Sequence, residues 1–211
     1  MVFHYVDITF DIKINHRHHL LLIGSCFTEQ IGNKLTNHKF TILDNPNGIL
    51  FNPISIAKSI ESYIENKQHT EKDLFYQNES WNSWEHHSRF SHPDKRTCLK
   101  GINDSQTRAH DFLKKADWLL ITLGSAFVYE TSPLTPLLEE RENAKVVVAN
   151  CHKVATDKFV KRLLTAADVF NDLQKAIEKV VAYNPGLKII FTISPVRHLR
   201  EGFVENNRSK A

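Results

Sequence analysis

The apolar run His19 to Ile23 stops at Gly24 and passes without a linker into a helical repeat, in which Phe27, Ile31 and Leu35 fall four apart while Glu29, Gln30, Asn33 and Lys34 take other positions. A short continuous apolar run suits a strand buried on both faces, and the spacing behind it suits an amphipathic helix. Strand, tight turn and helix in that order predict a central parallel strand. The rhythm recurs. Trp118 to Leu123, ended by Gly124, follows a helix predicted from Asp104 as cap to about Ala116, with Ala109, Phe112, Leu113 and Ala116 on one face. Lys188 to Ile193, closed by Ser194-Pro195, follows a helix that Thr165 and Asp168 open as a capping box and that ends at Asn184-Pro185-Gly186.

Between these units, Lys39 to Leu43 is a predicted second strand, and a helix starts near Pro53 with Ile56, Ile60, Tyr63 and Ile64 at helical spacing. Lys145 to Ala149 is a predicted strand or hairpin arm. Alternating strands and helices in 211 residues predict one α/β domain, a three-layer α/β/α sandwich with a mostly parallel sheet. In such a fold ligands sit beyond the carboxyl ends of the strands, where Ser25, Gly48, Gly124 and His198 are expected to gather. The stretch from about 74 to 103, with Trp81, Trp84, His86, His87 and Phe90 among polar residues, reads as an insertion or flap.

Composition narrows the partners. A net charge of +3 is spread along the chain with no dense basic block, so nucleic acid is not an expected partner. No apolar stretch approaches the roughly 18 residues of a membrane span, and no secretory signal opens the chain, which predicts no membrane partner and a cytoplasmic location. Cys26, Cys98 and Cys151 form no CxxC pair and fit reduced thiols. The twelve histidines include His16, His18 and His19, then His86 and His87, but no HxxxH, so neither a metal nor another cofactor is expected.

A serine directly after a buried strand and before a helix has two advantages for acyl transfer. The helix start supplies N–H donors for an oxyanion, and the turn presents the hydroxyl to the crevice. Ser25 stands there, though capping the helix is an equally good use of it. Cys26 is the other candidate nucleophile, since a thiol at a helix start has a lowered pKa.

Ile23-Gly24-Ser25-Cys26-Phe27 resembles the motif for which the GSCFA-domain family is named, a bacterial family grouped with the SGNH/GDSL hydrolases. Further matches are Asn47-Gly48-Ile49-Leu50-Phe51-Asn52-Pro53, Ser83-Trp84-Glu85-His86-His87, Ile121-Thr122-Leu123-Gly124, Asn150-Cys151-His152-Lys153 and Ser194-Pro195-Val196-Arg197-His198. The resemblance implies an SGNH-hydrolase, flavodoxin-like architecture, with Ser25 as nucleophile and the amides of Ser25 and Gly48 as oxyanion donors. In the third block, Gly124-Ser125-Ala126 has Ala where the superfamily's Gly-x-Asn carries a donor, so Asn47, Asn150 and His87 are candidates to replace it. The superfamily base lies in a late Asp-x-x-His, which is missing here. The resemblance therefore implies a C-terminally truncated member, inactive as this piece, with His198 as an alternative base and His86 and His87 reaching the site from the flap.

The implied activity is a serine esterase or deacylase acting on a small acyl ester, such as an O-acetylated carbohydrate. The alternatives are a non-catalytic carbohydrate-binding module that stacks sugars on Trp81, Trp84 and Phe90, and a metal-dependent hydrolase built on the histidines. The sequence sets no oligomeric state.

Overall fold

The computed structural model describes residues 13–131, 146–196 and 202–210. Strands β1 (His19–Gly24), β2 (Thr41–Asp44), β5 (Trp118–Leu123) and β9 (Lys188–Ile193) form one parallel sheet in the order β2-β1-β5-β9. The apolar runs dictate its centre, where Leu20, Leu21, Leu22 and Ile23 of β1 are buried on both faces. On one face Leu21, Ile23, Leu119 and Ile121 pack against α2 (Pro53–Glu65), α3 (Lys95–Leu113) and α4 (Ala166–Tyr183). On the other, Leu20, Leu22 and Trp118 meet Ile31 and Leu35 of α1 (Cys26–Asn37). The result is the three-layer α/β/α arrangement. Its four described strands follow the doubly wound order 2-1-3-4, whose direction reverses between β1 and β5.

The capping residues explain where the helices start. Asn52 Oδ1 accepts from the Ser55 amide with Pro53 in the first turn, and Thr165 and Asp168 form the reciprocal box that opens α4. The expected start of the third helix is corrected. It begins at Lys95, because Asp94 Oδ1 accepts both the amide and the hydroxyl of Thr97. Cys98, Ile102, Ala109 and Leu113 then line one buried face, so residues 95–103 belong to the helix and not to the flap.

The flap itself is short: β3 (Phe75–Gln77) pairs antiparallel with β4 (Ser80–Asn82), and a 3-10 turn covers Ser88–Phe90. It has a small core of its own, in which Phe75 and Trp84 stack with ring centroids 3.8 Å apart against Val148, Val154 and Phe159. A second antiparallel sheet, in the order β7-β6-β8, is formed by β6 (Phe127–Thr131), β7 (Val147–Val148) and β8 (Phe159–Leu163). Of the strand expected at 145–149, residues 147–148 form β7 while residue 145 lies outside the described residues, and β6 and β8 are not expected from the sequence. The turn-length helix α5 (Phe203–Arg208) leads to Lys210, whose ammonium donates to the carbonyls of Gly124 and Ser194 at 2.8 and 2.7 Å.

Strand β9 ends the described sheet. Phe191 and Ile193 leave it half exposed, and with Leu173, Ile177 and Phe170 they border an apolar groove of about 540 Å³. No helix among the described residues is long and apolar enough to cross a membrane.

Candidate active site

Gly24 makes the turn after β1. Its φ of +145° is a conformation that side-chain-bearing residues rarely adopt, and a Cβ there would come within 2.9 Å of the Thr122 carbonyl carbon and closer still to its oxygen. The tight approach sets the next residue at the start of α1, at the point where the strand order reverses. Ser25 has the backbone of a helix N-cap (φ −70°, ψ 177°), yet its side chain makes no capping hydrogen bond. The residue is 1 % exposed and Oγ has no hydrogen-bond partner among the described residues. An unpartnered buried hydroxyl costs about 1–3 kcal/mol, and a serine at an N-cap normally avoids that cost by bonding the first turn. The expectation that Ser25 serves as a cap is therefore not met.

The segment after β2 wraps this turn. Asn45 donates its amide to the Leu22 carbonyl at 2.8 Å, its Oδ1 accepts from the Gly24 amide at 2.8 Å, and the Leu50 amide donates to the Gly24 carbonyl at 2.9 Å. Asn45-Pro46-Asn47-Gly48 is a tight turn closed by the Gly48 amide on the Asn45 carbonyl at 2.7 Å. Gly48 is thus beside Gly24 and Ser25, but in this conformation its N–H is occupied. The Ser25 N–H also has an acceptor, the Thr122 carbonyl, at 3.3 Å. Asn47 belongs to the scaffold: its Nδ2 donates to Ser59 Oγ, and its Oδ1 accepts from the Tyr63 hydroxyl, a phenol that burial pushes well above its usual pKa.

The flap closes over this segment. The His87 amide donates to the Asn47 carbonyl at 2.9 Å, and the His87 Cβ and Arg89 Nε lie so near Gly48 (φ +81°) that a Cβ there would overlap the histidine. Arg89 forms an ion pair with Glu29, one turn into α1 from Ser25. His87 Nδ1 accepts from the Arg89 amide, which leaves Nε2 carrying the proton of the neutral ring, and burial lowers the His87 pKa and favours that neutral form. In this tautomer His87 offers a donor at Nε2 rather than a base.

The remaining expected residues divide. Gly124 and Ser125 follow β5, but both amides donate to the Phe51 carbonyl at 2.9 Å, and Ser125 Oγ accepts from the Phe127 amide, so they anchor the second segment. Asn150 turns into its own loop, where Oδ1 accepts from the His152 amide at 2.7 Å. His198 lies outside the described residues. Cys26 is half-buried in the first turn of α1.

The family model of the GSCFA family matches residues 19–211. The chain belongs to the GSCFA family. Neither the curated proteins nor the solved structures contain a match to it.

In this GSCFA-family chain His86 sits in a buried cluster with Ser83 and His69. It is 1 % exposed, its Nδ1 shares a hydrogen bond with Ser83 Oγ at 3.0 Å, and its ring meets His69 edge-on at 4.9 Å. His152 is beside them, its Nε2–H donating to the Ser83 carbonyl at 2.8 Å. Burial first, then the neighbouring His69, Lys67 and His152, hold the His86 pKa well below 6.5, and burial lowers that of His152. Among the described residues no group of three or more His, Cys, Asp or Glu has the geometry to hold a metal. The cluster ties the flap to residues 147–154 instead.

Its pH dependence has a definite sign. A histidine whose folded pKa is depressed contributes fully above the unfolded value of 6.5, and that contribution is lost as pH falls from there through the folded value. The unfolding free energy read from urea titrations is expected to fall between pH 7.5 and 5, by up to about 1.4 kcal/mol per pH unit for His86, and the urea midpoint with it. A midpoint that does not move across that range would contradict the buried neutral cluster.

Trp84 is 6 % exposed beneath Phe75, the burial under the flap that is the other use of these aromatics, so the sugar platform reduces to Trp81 and Phe90. Asn45 was passed over as a loop residue, although it holds the Gly24 amide; only the Asn-Pro pair hinted at its turn.

Proposed function

We propose that the protein is a serine esterase or deacylase of the SGNH type. The observation that carries this reading is Ser25: a serine at a helix start, beyond the strand-order reversal, whose buried hydroxyl neither caps the helix nor bonds anything else among the described residues. Its Oγ attacks the acyl carbonyl carbon, the hydroxyl proton passes to a base, and the alcohol leaves as that base returns the proton. Water then cleaves the acyl-enzyme and frees the carboxylic acid. The amides of Cys26 and Phe27, in the first turn of α1, have no acceptor among the described residues and suit the oxyanion. His198, the alternative base that the sequence offers, lies outside the described residues, and the three cysteines, none of them in a disulfide among the described residues, fit a reducing, cytoplasmic setting.

The near-complete burial of Ser25 supports a small acyl group such as acetyl, and the partly exposed Trp81 and Phe90 at the flap suit a carbohydrate alcohol. Turnover of p-nitrophenyl acetate by the full chain tests the reading. A folded full-length protein with no turnover would overturn it.

The closed flap has a kinetic consequence. The Arg89–Glu29 pair is partly solvent-exposed, so it holds the flap with at most about 1 kcal/mol. Arg89→Ala is expected to raise the labelling rate of Ser25 by a fluorophosphonate about two- to fivefold. An unchanged rate would show that this pair does not gate access.

A further inference from the structure

The turn that carries Ser25 holds three buried polar atoms without partners among the described residues: Ser25 Oγ, Thr28 Oγ1 and Asn45 Nδ2, on residues that are 1, 2 and 2 % exposed. Native proteins leave few such atoms, and those that remain call for an explanation. These three belong to one place. Gly32 packs on Asp44, within 3.3 Å of its carboxyl for an added Cβ. Thr28, one turn back along the same helix face, lies toward the N-terminus of α1, where the chain continues from Asp44 to Asn45.

Asn45 is held firmly. Its φ of 42° is left-handed, a conformation that Asn tolerates. Its main-chain amide is fixed to Leu22 and its Oδ1 to the Gly24 amide, so one arm of the carboxamide is anchored one residue before the serine while the other arm keeps its two hydrogens unused. The backbone amides of Ser25 and Gly48 already have carbonyl acceptors, so this side chain joins the amides of Cys26 and Phe27 as a pre-oriented donor at low dielectric.

We infer that Asn45 is a catalytic residue, its Nδ2–H donating to the oxyanion that forms when Ser25 attacks the ester. The assignment rests on Ser25 being the nucleophile. Asn45 has one occupation in the resting protein, holding Gly24, and a second that appears only with the tetrahedral intermediate, so it stabilises the transition state more than the ground state.

Asn45→Asp separates the two. It keeps an oxygen for the Gly24 amide and tolerates the same backbone, but removes the Nδ2 donor. In the full chain, kcat for p-nitrophenyl acetate is expected to fall about 10²- to 10³-fold with KM within about threefold of the parent. Asn45→Asp with parental kcat would overturn the assignment while leaving Ser25 in place. Failure of the parent to form an adduct at Ser25 would remove the nucleophile and this inference with it. A readout free of any folding defect is the Asn45 side-chain amide resonance in the parent protein. It is expected to shift when Ser25 is phosphonylated, and an unmoved resonance would overturn the assignment.

Discussion

Ser25→Ala is expected to cut p-nitrophenyl acetate turnover at least about 10³-fold while leaving the thermal midpoint unchanged or slightly raised. The two halves of this outcome come from different physics. Turnover falls because the attacking oxygen is gone. Stability holds because that oxygen has no partner to lose among the described residues: the serine at this N-cap position makes no side-chain bond to the first turn, and its Oγ is buried. Removing an ordinary serine cap costs about 1 kcal/mol, whereas removing an unpartnered buried hydroxyl costs nothing or relieves desolvation. A variant that loses stability and keeps turnover would make Ser25 a cap.

Gly24→Ala is expected to damage fold and activity together. The new methyl group meets the Thr122 carbonyl across the β1–β5 pairing, and φ of +145° is denied to alanine, so the turn must open. Strain and overpacking together are worth on the order of 3 kcal/mol, which for a chain of this size lowers the melting temperature by about 6–12 °C. Opening the turn also displaces Ser25 from the start of α1, and a misplacement of about 1 Å costs turnover roughly 100-fold. Calorimetry and an esterase assay on the same preparation check both. A variant that melts and turns over like the parent would mean that this close approach does not position the serine.

Elements whose residues bury fully were legible in the chain. Leu20 to Ile23 and Leu119 to Ile121 announce central strands by unbroken apolar content, and the Thr165–Asp168 box announces α4 by paired capping groups. Those signals are local, so no tertiary knowledge was needed. The first turns of α3 were hidden because Lys95, Arg96, Lys100 and Gly101 dilute its apolar face, leaving Cys98 and Ile102 too sparse to register. Strand β8 was hidden because Val160, Lys161, Arg162 and Leu163 are exposed and do not alternate.

The site divides in the same way. The strand-turn-helix position of Ser25 and the turn glycine Gly48 are written in local residue types. The functions of Asn45 and Asn47 are not, since both are asparagines of one turn and differ only in what faces them. Asn47 meets Ser59 and Tyr63 of α2 and is used up, while Asn45 meets Gly24 and its Nδ2 meets no acceptor among the described residues. His86 and His87 divide likewise, one inward to His69 and Ser83 and one onto Gly48.

The central claim is that Ser25 is a nucleophile, and covalent trapping addresses it without any choice of substrate. The full chain treated with a fluorophosphonate and mapped by peptide mass spectrometry is expected to carry a single adduct, on Ser25, that is absent from Ser25→Ala. A folded protein that stays unmodified, or that carries its adduct on another residue, would contradict the account.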